Sequence, residues 1–164
     1  MPAKDKTLDD LFLETLKDVY FAEKKILTAL PKLAKAAQSS ELRAAFEKHR
    51  GETEKQVERL EQVFEMIEQP ARGKTCPAIL GLMEEEKEVM KDFKESHALD
   101  AALLSGAQSV EHYEIARYGA LCAWAQQMNK PQIAKLLHET LEEEKATDVT
   151  LSRLATSQLN QMAA

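Results

Sequence analysis

Apolar residues recur at alternating steps of four and three along most of the chain, the period of helices that bury one stripe. The first line reads Phe12, Leu16, Val19, Glu23, Ile26, Leu30, Leu33 and predicts a helix over about 7–37, kinked near Pro31. Ser39 and Ser40 supply a break and an N-cap. The second line, Leu42, Phe46, His49, Thr53, Gln56, Leu60, Val63, Ile67, predicts a helix over about 41–68 whose middle is polar on its core face. Pro70, Gly73 and Pro77 mark a long connection, followed by a shorter helix over about 78–94. Ala107, Glu111, Glu114, Tyr118, Leu121, Ala125 line a helix over about 101–128. Leu137, Leu141, Glu144, Asp148, Leu151 line the last, over about 131–155, with Pro131 in its first turn. The tail from Thr156 is expected to fray.

No strand-like alternation interrupts this pattern. The breaks after the first and third long helices are short, so each pair reads as an antiparallel hairpin. One long crossover with its own helix joins the pairs. The fold expected is an all-α, ferritin-like four-helix bundle, a single domain over 1–164.

The acidic residues on those lines change the picture most. Glu23, Glu111, Glu114 and Glu144 stand where the period calls for apolar side chains, and a buried carboxylate is costly unless it is paired or bound to a cation. Glu111 and Glu114 share one face, as do Glu144 and Asp148, and Glu52 lies within a turn of His49 and Gln56. Counted from the breaks, Glu23 lies about 16 residues before the first and Glu52 about 12 after it. Glu111 and Glu114 lie about 15 to 18 before the second break, and Glu144 about 14 after it. The partners in each hairpin therefore sit at similar depth. A carboxylate from each of four helices with extra donors describes a di-iron or di-manganese site. Oxygen-rich ligands suit iron and manganese, whereas zinc takes more histidine and cysteine. The bland alternative for Glu84-Glu85-Glu86 is a solvated face, and His97, His112 and His138 read as surface or interface residues. Tyr118, one turn from Glu114, is placed to hydrogen-bond a ligand.

Composition narrows the function. The net charge of −6 argues against a nucleic-acid surface, and no apolar run reaches a membrane span. The N-terminus has no apolar signal core, so a cytoplasmic protein is expected. Cys76 and Cys122 are too few for a disulfide scaffold.

Four segments carry a resemblance: VYFAEK from Val19, HRGETEKQ from His49, VEHYEIARYG from Val110 and LEEEKATD from Leu141. With them, nearly the whole chain resembles the YciE/YciF family of bacterial stress proteins, and more closely its YciF side. The resemblance implies a ferritin-like fold, similarity to the rubrerythrin di-iron domain, and a homodimer. It implies metal ligands at Glu23, Glu52, Glu111, Glu114 and Glu144. The reaction follows from the chemistry of such a site: peroxide- or O2-directed redox chemistry in stress protection. The alternative is iron or other metal binding, or a structural dimeric bundle, without turnover. One departure stands out: the chain contains no Glu-x-x-His, since Lys55 follows Glu52 at that spacing and Thr147 follows Glu144. Nitrogen ligands are then absent, replaced by Gln56 or Asp148, or supplied by His49. The chain also lacks a rubredoxin-like cysteine module, so any electrons would come from an external donor.

Overall fold

A computed structural model of the chain describes residues 5–164. The reading of the N-terminus rests partly on residues 1–4, which lie outside the described residues. Five helices follow in order: α1 Leu8–Ala36, α2 Ser40–Met66, α3 Pro77–Asp92, α4 Leu99–Gln127 and α5 Pro131–Leu154. Their bounds lie within two residues of those the sequence predicts. Around the bundle, α1 packs on α2, α2 on α5, α5 on α4 and α4 back on α1, while α3 lies mainly against α4.

Local chemistry sets the ends. Thr7 and Asp10 form a reciprocal capping box at the start of α1. Ser39 Oγ accepts from the Leu42 amide at α2, as its position predicts. Asn129, in the left-handed region at φ 56°, turns the chain between α4 and α5, and Pro131 opens α5. Asp100 has a role the sequence does not announce. Its carboxylate, buried at the start of α4, accepts from the amides of Gln38 and Ser39 at 2.8 and 2.6 Å and so ties the α1–α2 turn to the second hairpin. Asp100→Ala strands those two amides and is expected to cost about 2 kcal/mol. Thermal unfolding would register a lower midpoint; an unchanged midpoint would refute the tie.

One expectation needs correction. The tail does not fray: a π-type turn over Ala155–Leu159 and a last helical turn over Asn160–Ala163 extend the fifth helix. Ala155 and Leu159 are buried in the core, and this apolar anchoring outweighs the usual looseness of a terminus. At Pro31, α1 continues unbroken to Ala36. Pro31 is exposed, so the Leu27 carbonyl that loses its partner can turn to water.

The core forms two apolar blocks. One gathers Ile26, Leu30, Leu42, Phe46, Leu103 and Leu151; the other gathers Phe12, Leu16, Leu60, Phe64, Leu121 and Leu137. Along every long helix the polar seam residues fall between the two. Each fully buried Leu or Phe contributes roughly 2–3 kcal/mol, so the blocks hold the bundle and the layer between them is free to carry chemistry.

Candidate metal centre

The middle layer is made of Glu23 from α1, His49 from α2, Glu111 and Glu114 from α4, and Glu144 from α5. All are at most 4% exposed. Helical spacing explains the convergence: each occupies a core position of its helix, on the stretch that lies between the two apolar blocks. His49, Glu111, Glu114 and Glu144 each present a ligand atom, and these atoms lie within 4.8 Å of one another. His49 Nε2 is 3.0 Å from Glu111 Oε1 and 3.7 Å from Glu144 Oε2, yet it makes no well-aligned hydrogen bond. Glu23 stands beside this group, its Oε1 accepting from the Tyr118 hydroxyl at 2.5 Å.

Buried polar atoms without partners are rare in native interiors. Here the layer holds eight: Glu23 Oε2, His49 Nε2, Gln56 Oε1, Glu111 Oε2, and both oxygens of Glu114 and Glu144. Burial raises Glu23 to about 7, against the lowering pull of the Tyr118 hydrogen bond. Burial and the neighbouring carboxylates push Glu114 and Glu144 well above the ordinary range. Burial disfavours the His49 imidazolium, but the carboxylates of Glu111, Glu52 and Glu144 outweigh it and raise its pKa well above the usual value. The layer thus binds protons tightly, as expected where positive charge is needed to stabilise crowded carboxylates. Its orphaned oxygens and one imidazole nitrogen could hold a metal ion.

The remaining candidates lie around this group. Glu52 sits at the rim, 3.6 Å from His49 Nδ1 and paired with Lys48 at 2.8 Å. The neighbouring imidazole, ahead of Lys48, holds its carboxyl down at about 2. Gln56 is fully buried, but its amide donates to Glu143, which Arg59 also clamps at 2.7 and 2.8 Å. Asp148 is turned away to Gln108 and His112, at 3.0 and 3.1 Å. The seam of α5 runs from Glu144 to Thr147, a step of three rather than four, and this leaves Asp148 on the flank.

Two residues near the layer escaped the sequence reading, and a third, Thr53, was placed on the seam without its contact. Thr147 Oγ1 lies 3.5 Å from both His49 Nδ1 and Glu52 Oε2, and the missing Glu-x-x-His histidine was the signal that marked this position. Thr53 donates to the His49 carbonyl at 2.8 Å. Glu86 is no solvated residue: it is half-buried with Oε1 unpartnered, and a methyl group at Gly106 would collide with its carboxyl group. Its neighbours Glu84 and Glu85 are exposed, so composition alone did not separate it from them. Among the described residues, no helix is long and apolar enough to cross a membrane.

Known proteins share this architecture. Residues 7–164 match the family model described as a domain of unknown function, DUF892. Protein YciF of Escherichia coli K12 is 46% identical over 159 residues, 96% of each chain. The crystal structure of that stress protein superposes with a TM-score of 0.90, covering 96% of this chain and 99% of that one. YcfI from Rhodopseudomonas palustris, for which a structural role has been suggested, is 43% identical with a TM-score of 0.88, over 93% of this chain and 97% of that one. A Xanthomonas campestris protein, 21% identical with a TM-score of 0.69 over 92% of each chain, shares the fold. A family match spanning both hairpins and the crossover, joined to this identity with YciF over the whole ferritin-like bundle, shows that the chain belongs to the DUF892 family.

Proposed function

We propose that the chain is a dinuclear metal carboxylate protein of bacterial stress response, holding iron or, as second candidate, manganese. The observation that carries this reading is the set of eight unpartnered polar atoms converging from four helices in one buried layer. A cation at that place would satisfy them together, which no single hydrogen-bond donor could do. Glu111, Glu114 and Glu144 with His49 would form the inner set, and Glu23 would complete it from α1. When bound, such ions supply one-electron exchange with O2 or peroxide.

The chain's own part is binding and positioning. Glu52 and Thr147 both face His49 Nδ1, which leaves Nε2 on the side of the carboxylates, where it would ligate a metal once its proton is lost. Tyr118 fixes Glu23 by donating to one oxygen and leaving the other free. The two apolar blocks exclude water from above and below. Electrons would come from an external donor, and a homodimer is the assembly proposed.

A second reading is metal binding, or a structural role as a dimeric bundle, without turnover. One observation favours it: a single imidazole faces the layer among the described residues, where rubrerythrin-like sites carry Glu-x-x-His pairs. Peroxide consumption by iron-loaded protein with an added reductant separates the readings. Sustained turnover, lost in Glu114→Ala, supports redox catalysis. Stoichiometric metal without turnover supports the second reading.

A further inference from the structure

A pocket of about 350 Å³ opens between α1 and α3 and reaches the metal layer. Exposed Lys25 and Lys32 of α1 and Leu80 and Lys87 of α3 rim its mouth. Ile26, Leu30, Phe46, Met83 and Val110 supply apolar wall. At its inner end lie His49 and Glu111, 4% and 2% exposed, each with an unpartnered polar atom. The opening follows from the topology, because α3 leans on α4 and makes only a light contact with α1.

The size and lining of this pocket identify a class of ligand. An apolar cavity of about 150 Å³ already accepts a benzene ring, so this one far exceeds the needs of O2 or peroxide. Its apolar wall calls for an apolar body, with orientation set by a few polar groups. At the mouth, Lys87 is paired with Glu84 at 3.0 Å. Glu86 is pushed up to about 8 by burial and holds its proton at neutral pH. The ion-paired lysines among the described residues are Lys48, Lys74, Lys87, Lys130 and Lys145. Lys25 and Lys32 are therefore the unopposed charges at the entrance.

We propose that this pocket binds an amphipathic organic anion of the alkyl carboxylate class, with its charged end at Lys25 and Lys32 and its chain directed inward to His49 and Glu111. Its role as a substrate pocket rests on the metal reading above; its occupancy does not.

Titration calorimetry of the full chain, metal-free and metal-loaded, with octanoate, 1-octanol and octylammonium tests the proposal. Octanoate is expected to bind tightest of the three in both forms. Met83→Trp and Ala29→Trp, which fill the pocket from opposite walls, should each abolish that binding while helical content by circular dichroism is kept. Lys25→Ser with Lys32→Ser should weaken octanoate roughly five-fold and leave octanol unchanged. The proposal is overturned if octanoate does not bind, if binding survives both filled variants, or if octylammonium binds as tightly. Octanoate binding that Met83→Trp blocks, in protein that never takes up metal, would defeat the metal reading and leave the pocket standing.

Discussion

Glu111→Ala is expected to strip the protein of bound metal while its helices stay in place. Glu111 occupies the centre of the layer: one oxygen lies 3.0 Å from His49 Nε2, and the other is buried without a partner. Helical spacing sets Glu114 on the same face of α4, and across the bundle stands Glu144. Losing a ligand at that point should weaken metal binding by more than about 100-fold, the upper range for merely disturbing a ligand's support. The bundle does not depend on Glu111, because the apolar blocks on either side supply the folding energy. Metal-free Glu111→Ala should therefore melt no earlier than the metal-free parent, since it removes one of several crowded carboxylates. Elemental analysis and circular dichroism on the same sample check both halves. Unchanged metal content would show that the site lies elsewhere.

The metal-free protein should lose stability as pH rises from about 4.5 through 7, the reverse of ordinary acid denaturation. The sign follows from proton linkage. Glu23 has a folded-state pKa of about 7 against 4.5 in an open chain, so the folded form holds more protons between those values. Its contribution is fully present below 4.5 and is lost as pH passes 7, a change on the order of 3 kcal/mol. Glu114 and Glu144 are raised by the same cause and add in the same direction. His49 is raised too, so its contribution is present below its open-chain value and lost on passing its folded one. Glu52 opposes them only in acid: its share is present above 4.5 and disappears as pH falls through about 2. Denaturant unfolding of chelator-treated protein across pH 4 to 8 measures the slope. Glu23→Leu should flatten it and raise stability at pH 8, because it removes a buried charge. A metal-free parent whose stability climbs over that range would contradict the burial of these carboxylates. Added metal should reverse the slope, since its ligands must be deprotonated.

Much of this was legible in the sequence, for a physical reason. The lines through α1, α2 and α4 name residues that prove buried almost without exception, because a stripe at steps of three and four leaves little freedom in a long helix. The link lengths then determined the hairpins. Those lines, with that of α5, carried Glu23, His49, Glu111, Glu114 and Glu144 inward, so the burial of the middle layer could be read from spacing alone. What escaped depends on choices that period does not settle. Asp148 and Thr147 compete for one seam position, and a step of three selects Thr147. Gln56 lies on the seam, but Arg59 and Glu143 decide where its amide points. Glu86 is drawn inward by its packing beside Gly106, a residue of another helix. Asp100 earns its place through amides more than sixty residues away. Each of these is a long-range contact, visible only once the hairpins are docked.

The most direct measurement is metal content and position in protein purified without added metal. About two ions per chain are expected by elemental analysis. Anomalous scattering should place them among Glu23, His49, Glu111, Glu114 and Glu144. Protein that emerges metal-free, takes up no iron or manganese when offered them, and keeps its buried carboxylates protonated would contradict the metal reading.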